Sequence, residues 1–268
     1  MPLSQVTLAG TPTKVALTRF IRYTARFATT TQRHYKEALY RFEPFLPDFI
    51  EQIRAEHIDI FVNSLKTLNS SKNSLLVPVR SFLQWCETYL DVPNVAKKVK
   101  SLPEQPPKQR VLSEAEYKAV LAVCEPFEEA IVQILANTGL RASEFCSLSW
   151  QNVSHDEKYL TIDGKANKRR IVPINATSRL ALHTFNFSKS FNRDSLRYLC
   201  NCLAKRAAIP RFGPHAIRHF FCTRMILAGA KIAIVSLTMG HSSPVVTMKI
   251  YAHLLPSDCL GATDCLDF

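Results

Sequence analysis

Three observations predict a mainly α-helical chain in two parts, the second carrying a small antiparallel β-sheet. First, apolar residues recur three and four apart along most of the 268 residues, the repeat that lines up one face of a helix. Second, residues 158–174 break that rhythm. Tyr159-Leu-Thr-Ile162 and Arg170-Ile-Val-Pro173 read as strands flanking a turn-rich tip, Asp163-Gly164-Lys165-Ala-Asn-Lys168. Third, residues 101–109 hold three prolines in a short polar stretch. Proline fixes φ and bars helix continuation, so an extended linker is expected there. The chain then divides into a helical part over 1–103, a linker over 104–109 and a mixed helical part over 110–268.

Within the first part, Thr30 or Thr31 is placed to cap a helix whose apolar positions are Tyr35, Leu39, Phe42 and Phe45 or Leu46. Its other face shows Arg33, His34, Lys36 and Arg41. A second helix lines up Ile58, Phe61, Val62, Leu65 and Leu68. A third, from about Ser70 or Ser71, lines up Leu75, Val79, Phe82, Leu83, Cys86 and Leu90, and Pro78 is expected to kink or split it. In the second part, Ser113 and Glu116 form a capping box that starts a helix through about Cys124. A helix over Phe127–Asn137 runs into Thr138-Gly139, and from about residue 176 the pattern is helical again. Pro214 opens one helix, which Gly229 ends; another over Ile232–Met239 stops at Gly240. Ser243 caps the last, with Pro244 at its first position and Tyr251 at or just past its end.

The formal net charge is +12. Residues 1–107 carry 14 Lys and Arg against 9 Asp and Glu; residues 108–268 carry 20 against 13. Both parts are basic, which suits a long polyanion touching each, although solubility alone accounts for such a charge about as well. The eight cysteines are scattered with no paired CxxC, as expected of reduced thiols in a cytoplasmic protein. The start, Met1-Pro-Leu-Ser-Gln5, lacks a charged head before an apolar core, so no signal peptide is expected, and no window is apolar for long enough to span a bilayer.

Three segments carry chemistry: Thr138-Gly-Leu-Arg141-Ala-Ser-Glu144, His215-Ala-Ile-Arg218-His219, and Met239-Gly-His241-Ser-Ser-Pro-Val-Val-Thr-Met-Lys-Ile-Tyr251. They supply two guanidiniums, several imidazoles and a phenol, a set suited to attack on a phosphodiester. A phenol has a pKa of about 10, so deprotonating it at pH 7 costs roughly 4 kcal/mol and calls for a base or a strongly positive site. Taken singly, each piece has a plainer reading. Arg141 and Glu144 are spaced as an ion pair, His219 and His253 read as bystanders, and a tyrosine at a helix end is usually core or surface. Their order along the chain is what argues against coincidence.

With these residues in place, the chain resembles the tyrosine recombinases, which include phage integrases and the Xer enzymes. The resemblance covers nearly the whole chain and makes the first part a core-binding, DNA-binding domain and the second the catalytic domain. It implies catalytic roles for Arg141, Lys165, His215, Arg218 and His241, with Tyr251 as nucleophile and Glu144 as a buttress. Lys165 competes with Lys168 for its role. Arg33, His34, Lys36, Arg41, Lys168 and Arg169 are the expected DNA contacts, with Arg170 another possible phosphate-contacting cation. The implied reaction is site-specific recombination through a 3′-phosphotyrosyl link, needing neither metal nor ATP. A homo-oligomer, a tetramer on synapsed duplex DNA, and a cytoplasmic, nucleoid-associated location follow from the same likeness. Three rivals stay open: a type IB topoisomerase or hairpin resolvase, a metal-dependent nuclease built on His215, His219, His241 and Glu144, and a non-catalytic DNA-binding protein.

Overall fold

The computed structural model describes residues 10–104, 110–164, 169–188, 191–241 and 243–251, with backbone alone at Val246, Lys249, Ile250 and Tyr251. The chain forms two compact units, residues 1–107 and 108–268. Part of the expected linker, residues 105–109, lies outside the described residues.

Among the described residues, the first unit contains four α-helices: α1 (Thr13–Tyr23), α2 (Thr29–Phe42), α3 (Ala55–Ser64) and α4 (Asn69–Leu90). They enclose a core in which Phe20, Leu39, Phe42, Ile58, Phe61 and Phe82 are fully buried. Each such side chain contributes about 1.5–3 kcal/mol by leaving water. Three expectations are corrected here. Helix α2 starts at Thr29 after Ala28, with no side-chain cap, so Thr30 and Thr31 lie inside its first turn. Leu68 is 76% exposed, because α3 ends at Ser64 and the chain has left the helical register by then.

The third correction concerns the split expected at Pro78, which does not occur. The helix runs unbroken from 69 to 90 with Pro78 buried. Proline has no N–H to give the carbonyl four residues back, that of Ser74. His34 of α2 supplies a donor instead, its Nε2 lying 3.1 Å from the Ser74 oxygen. Burial of Leu75, Leu76, Val79, Phe82 and Leu83 around the proline holds the helix together through the missing bond.

The second unit contains α5 (Glu114–Ala122), α6 (Pro126–Thr138), α7 (Ala142–Cys146), β1 (Tyr159–Asp163), β2 (Arg169–Pro173), α8 (Ala176–Thr184), α9 (Arg193–Arg206), α10 (Pro214–Leu227), α11 (Ile232–Met239) and α12 (Pro244–Tyr251). Ser113 and Glu116 make the expected capping box, and Arg110 clamps the Glu116 carboxylate. The strands pair antiparallel, with Ile162 opposite Arg170 and Leu160 opposite Val172. Helix α6 lies at the centre, packed against α8 and α10, while α11 contacts α10, α12 and β2. Ile131, Ile134, Leu135, Phe145, Leu160, Val172 and Ile217 are buried in this core. The packing brings the start of α7, the middle of α10, strand β2 and the end of α11 to one place.

Among the described residues, no helix is long and apolar enough to cross a membrane. The six cysteines described there are free thiols. Burial pushes those of Cys86 and Cys200 up to about 12, so both stay protonated.

Candidate active site

The site is organised around the C-terminal end of α11. A helix leaves its last carbonyls without intrahelical donors. Gly240, at φ +63°, turns the chain left-handed there, a conformation that glycine adopts without penalty. Its N–H then donates to the Leu237 carbonyl, and the His241 N–H donates to that of Ser236. The next three carbonyls are each taken by a different arginine. Arg170 Nε donates to Thr238 at 2.9 Å. Arg218 Nη2 donates to Met239. Arg141 Nη2 donates to Gly240 at 2.6 Å. The negative end of the helix dipole favours cations at this position.

Each arginine is also fixed from a second side. Arg218, on α10 and 3% exposed, donates through Nη1 to the Gly139 carbonyl at 2.5 Å. Gly139 closes α6 in the left-handed region at φ +62°. Arg141 precedes α7. Its Nη1 donates to Glu144 Oε1 at 2.8 Å, and its backbone N–H donates to Oε2 at 2.7 Å. About a third of its side chain stays in solvent, against 7% for Glu144. Arg170 forks onto both Glu144 oxygens at 2.7 and 2.8 Å. Burial pushes the Glu144 carboxyl up, but hydrogen bonds from Arg170 and Arg141 outweigh it and bring it down to about 2.

The imidazoles line the same region. His215 and His219 stand one turn apart on α10 with ring centroids 5.3 Å apart. His241 Nδ1 lies 2.7 Å from the hydroxyl of buried Thr247 on α12. Withdrawal from solvent, then the Arg218 and Arg141 charges, lower the pKa of His215. Burial and the His215 and Arg218 charges bring His219 down to about 4. Burial and the charges of Arg218, Arg141, His219 and Arg170 bring His241 to about 4. All three are therefore neutral imidazoles at neutral pH, able to accept or donate one proton.

The structure thus brings Arg141, Glu144, His215, Arg218 and His241 together. Tyr251 is the last residue of α12, the helix that follows His241 and carries Thr247; its side chain lies outside what is described. Ser243 caps that helix as expected, accepting from the Val245 N–H at 3.2 Å. Lys165 and Lys168 lie outside the described residues. Of the expected DNA contacts, Arg33, Lys36 and Arg41 are exposed on α2, and exposed Arg169 pairs with Asp163 across the hairpin at 2.8 Å. His34 is engaged with α4 through the Ser74 carbonyl. Among the described residues, no group of three or more His, Cys, Asp or Glu side chains is placed to hold a metal ion.

Arg170 is the residue the motifs missed. Taken as one more phosphate-contacting cation on the hairpin, it is in fact 10% exposed and paired with Glu144. The strand alternation holds the signal, because Arg170 lies two residues from buried Val172 and so faces the core side of β2.

Comparison with known proteins agrees with this architecture. The phage integrase family model matches residues 110–195 and 186–257. The chain belongs to the phage integrase family. It is 27% identical over 256 residues to the tyrosine recombinase XerC of Myxococcus xanthus, covering 82% of this chain and 85% of the relative. It is 29% identical over 239 residues to XerD of Yersinia pestis, covering 78% and 77%. Among solved structures, it is similar to the Tn1549 transposon integrase in complex with transposon right-end DNA (TM-score 0.76, 16% identity, covering 94% of this chain and 98% of that one). It is likewise similar to a lambda integrase dimer bound to a COC′ core site (TM-score 0.78, 12% identity, covering 89% and 94%). These two likenesses show a shared fold.

Proposed function

We propose that this tyrosine recombinase cuts and rejoins duplex DNA at a specific site through Tyr251. The phenolic oxygen attacks the scissile phosphorus, a Tyr–O–P bond forms, and the P–O5′ bond breaks to free a 5′-hydroxyl. Attack by a 5′-hydroxyl from a partner strand reverses the step and completes exchange. The ester stores the bond energy, so the rejoining step consumes no further input.

The observation that carries this reading is the convergence of Arg141, Arg218 and His241 on one helix end that leads directly into the helix ending at Tyr251. Arg141 and Arg218 stabilise the charge that builds on the non-bridging oxygens, and they stay protonated at any working pH. Neutral His215 takes the phenolic proton, and His241 donates a further hydrogen bond to the phosphate. Lys165 protonates the leaving 5′ oxygen. Glu144 holds Arg141 in place. The helical first unit grips the duplex through Arg33, Lys36 and Arg41 on the exposed face of α2, with Lys168 and Arg169 adding contacts from the hairpin. Recombination of two duplexes joins four protomers on synapsed DNA, and such a protein works at the nucleoid in the cytoplasm.

A nicked suicide substrate tests the proposal. Wild-type protein should accumulate as an adduct on the 3′ end, with mass spectrometry placing the nucleotide on Tyr251. Tyr251→Phe should bind the same DNA and give no adduct. An adduct on another residue, or none with wild-type protein, overturns the reading. Strand exchange between two differently labelled duplexes separates a recombinase from a topoisomerase that only rejoins the original strands.

A further inference from the structure

The guanidinium of Arg170 is directed away from any DNA-contacting role: it is 10% exposed, forked onto Glu144 and bonded to the Thr238 carbonyl. Its stem also packs beside Gly240, where a Cβ would come within 2.9 Å of Arg170 Cδ. Arg170 thus touches both partners of Arg141, the Glu144 carboxylate and the Gly240 segment.

We infer that Arg170 is a positioning residue for strand cleavage, acting by sharing Glu144 with Arg141 and by pinning β2 to the end of α11. The inference rests on the proposed role of Arg141 at the scissile phosphate. A carboxylate offers about four lone-pair sites, and Arg170 occupies one on each oxygen. Glu144 is left with single bonds to the Arg141 guanidinium and to its backbone N–H. Without Arg170, the buried carboxylate has Arg141 as its remaining guanidinium partner. The pair then tightens, and the charge meant for the phosphate is neutralised by Glu144. The same loss frees the Thr238 carbonyl, so the turn carrying His241 loses its tie to the hairpin.

A second substitution separates this role from a merely structural one. If Arg170 were only glue, Glu144→Gln would add further damage to an Arg170→Gln protein. If Arg170 restrains Glu144, removing the carboxylate charge relieves the defect. The experiment measures single-turnover cleavage of the nicked suicide substrate, affinity for the intact site, and thermal midpoint. Arg170→Gln should cleave about 10- to 100-fold more slowly, the scale of a small misplacement at a reacting centre. Affinity should stay within about threefold, since no phosphate contact is lost. Glu144→Gln in that background should recover cleavage by about fivefold or more, a coupling ordinary for contacting residues. Arg170→Lys keeps the charge but not the fork and should fall between wild type and Arg170→Gln. If Arg170→Gln does not fold, the same cycle with Arg170→Lys gives the answer. Wild-type cleavage rates in the Arg170 variants, or a double variant no faster than the single one, overturn the inference. A wild-type protein that forms no adduct would instead sink the proposed function, so the two failures are distinguishable.

Discussion

The Arg141 guanidinium donates to the Gly240 carbonyl oxygen at 2.6 Å, joining residues 99 apart in sequence. Through this bond, the cleavage role proposed for Arg141 is coupled to the way one helix ends. The Thr238, Met239 and Gly240 carbonyls would otherwise be orphaned at a buried helix terminus. Three arginines from three other elements satisfy them. Under the proposed function, Arg141 and Arg218 are therefore in place before a phosphate arrives, and little reorganisation remains for the moment of reaction. Preorganised charge of this kind is usually the largest contribution to catalysis.

Two glycines make this geometry possible, and they should differ in tolerance. At Gly139 an added Cβ would lie 2.3 Å from the Phe221 ring, and the residue sits at φ +62°. At Gly240 the nearest atoms belong to the flexible Arg170 side chain, at 2.9–3.0 Å. Left-handed strain alone costs roughly 1–2 kcal/mol at either position. Gly139→Ala should cost about 1–3 kcal/mol more through overpacking. Gly240→Ala should stay folded yet slow cleavage, because Arg170 must shift. Urea unfolding and suicide-substrate rates measure the two separately. Equal loss of stability at both positions would contradict the account.

The His34–Ser74 bond gives a second prediction, in the first unit. Pro78 leaves the Ser74 carbonyl without its helical donor, and His34 Nε2 stands in at 3.1 Å. His34→Ala should destabilise this unit by about 1–2 kcal/mol, the cost of losing such a bond. In a Pro78→Ala protein the backbone gains an N–H at that position, which serves the Ser74 carbonyl directly, so His34→Ala should then cost less. Additive losses in the double-mutant cycle would show that the two residues are not linked.

Much of this architecture is legible in the sequence, and what is not has physical causes. Helix ends read well where side chains cap them: Ser113 with Glu116, Pro214, Gly240, and Ser243 with Pro244. The start of α2 reads poorly because Ala28 offers no cap and three threonines follow it. Pro78 misleads because its compensation comes from another helix, which local rules do not see. The catalytic candidates stand out by type and order, since arginine, histidine and tyrosine in that succession are rarely coincidental. Arg170 hides because one more basic residue in Lys168-Arg-Arg170 looks like a solvated cation until its strand face is considered. That Glu144 serves two arginines is a fact of tertiary structure alone.

Stability should fall on mild acidification, in a direction fixed by the imidazoles. His219 and His241 are lowered from an ordinary 6.5 to about 4 in the folded protein. Between those values the unfolded chain holds protons that the folded one does not, so stability drops as pH falls. The contribution is fully present above 6.5 and is lost as pH falls through about 4. Glu144, lowered to about 2, gives a further loss in the same direction below the ordinary carboxylate range. Urea midpoints from about pH 7 to about pH 5 should decline, and His241→Asn should flatten part of the slope. A midpoint constant across that range would refute these protonation states.

Thr247 is the least conspicuous residue with a testable consequence for cleavage. Its hydroxyl is fully buried on α12 and lies 2.7 Å from His241 Nδ1. When that hydroxyl donates, the imidazole proton is placed on Nε2, the nitrogen that the proposed function turns to the phosphate. Thr247→Val keeps the shape and removes the hydroxyl. Both tautomers of His241 then compete, and cleavage should slow by about 10-fold, in keeping with the cost of disturbing an orienting partner. DNA affinity should hold, because no cation has moved. Thr247→Ser restores the hydroxyl and should restore most of the rate. If the valine variant cleaves as fast as wild type, His241 is oriented by something else. If the serine variant stays as slow as the valine one, the methyl group matters rather than the hydrogen bond.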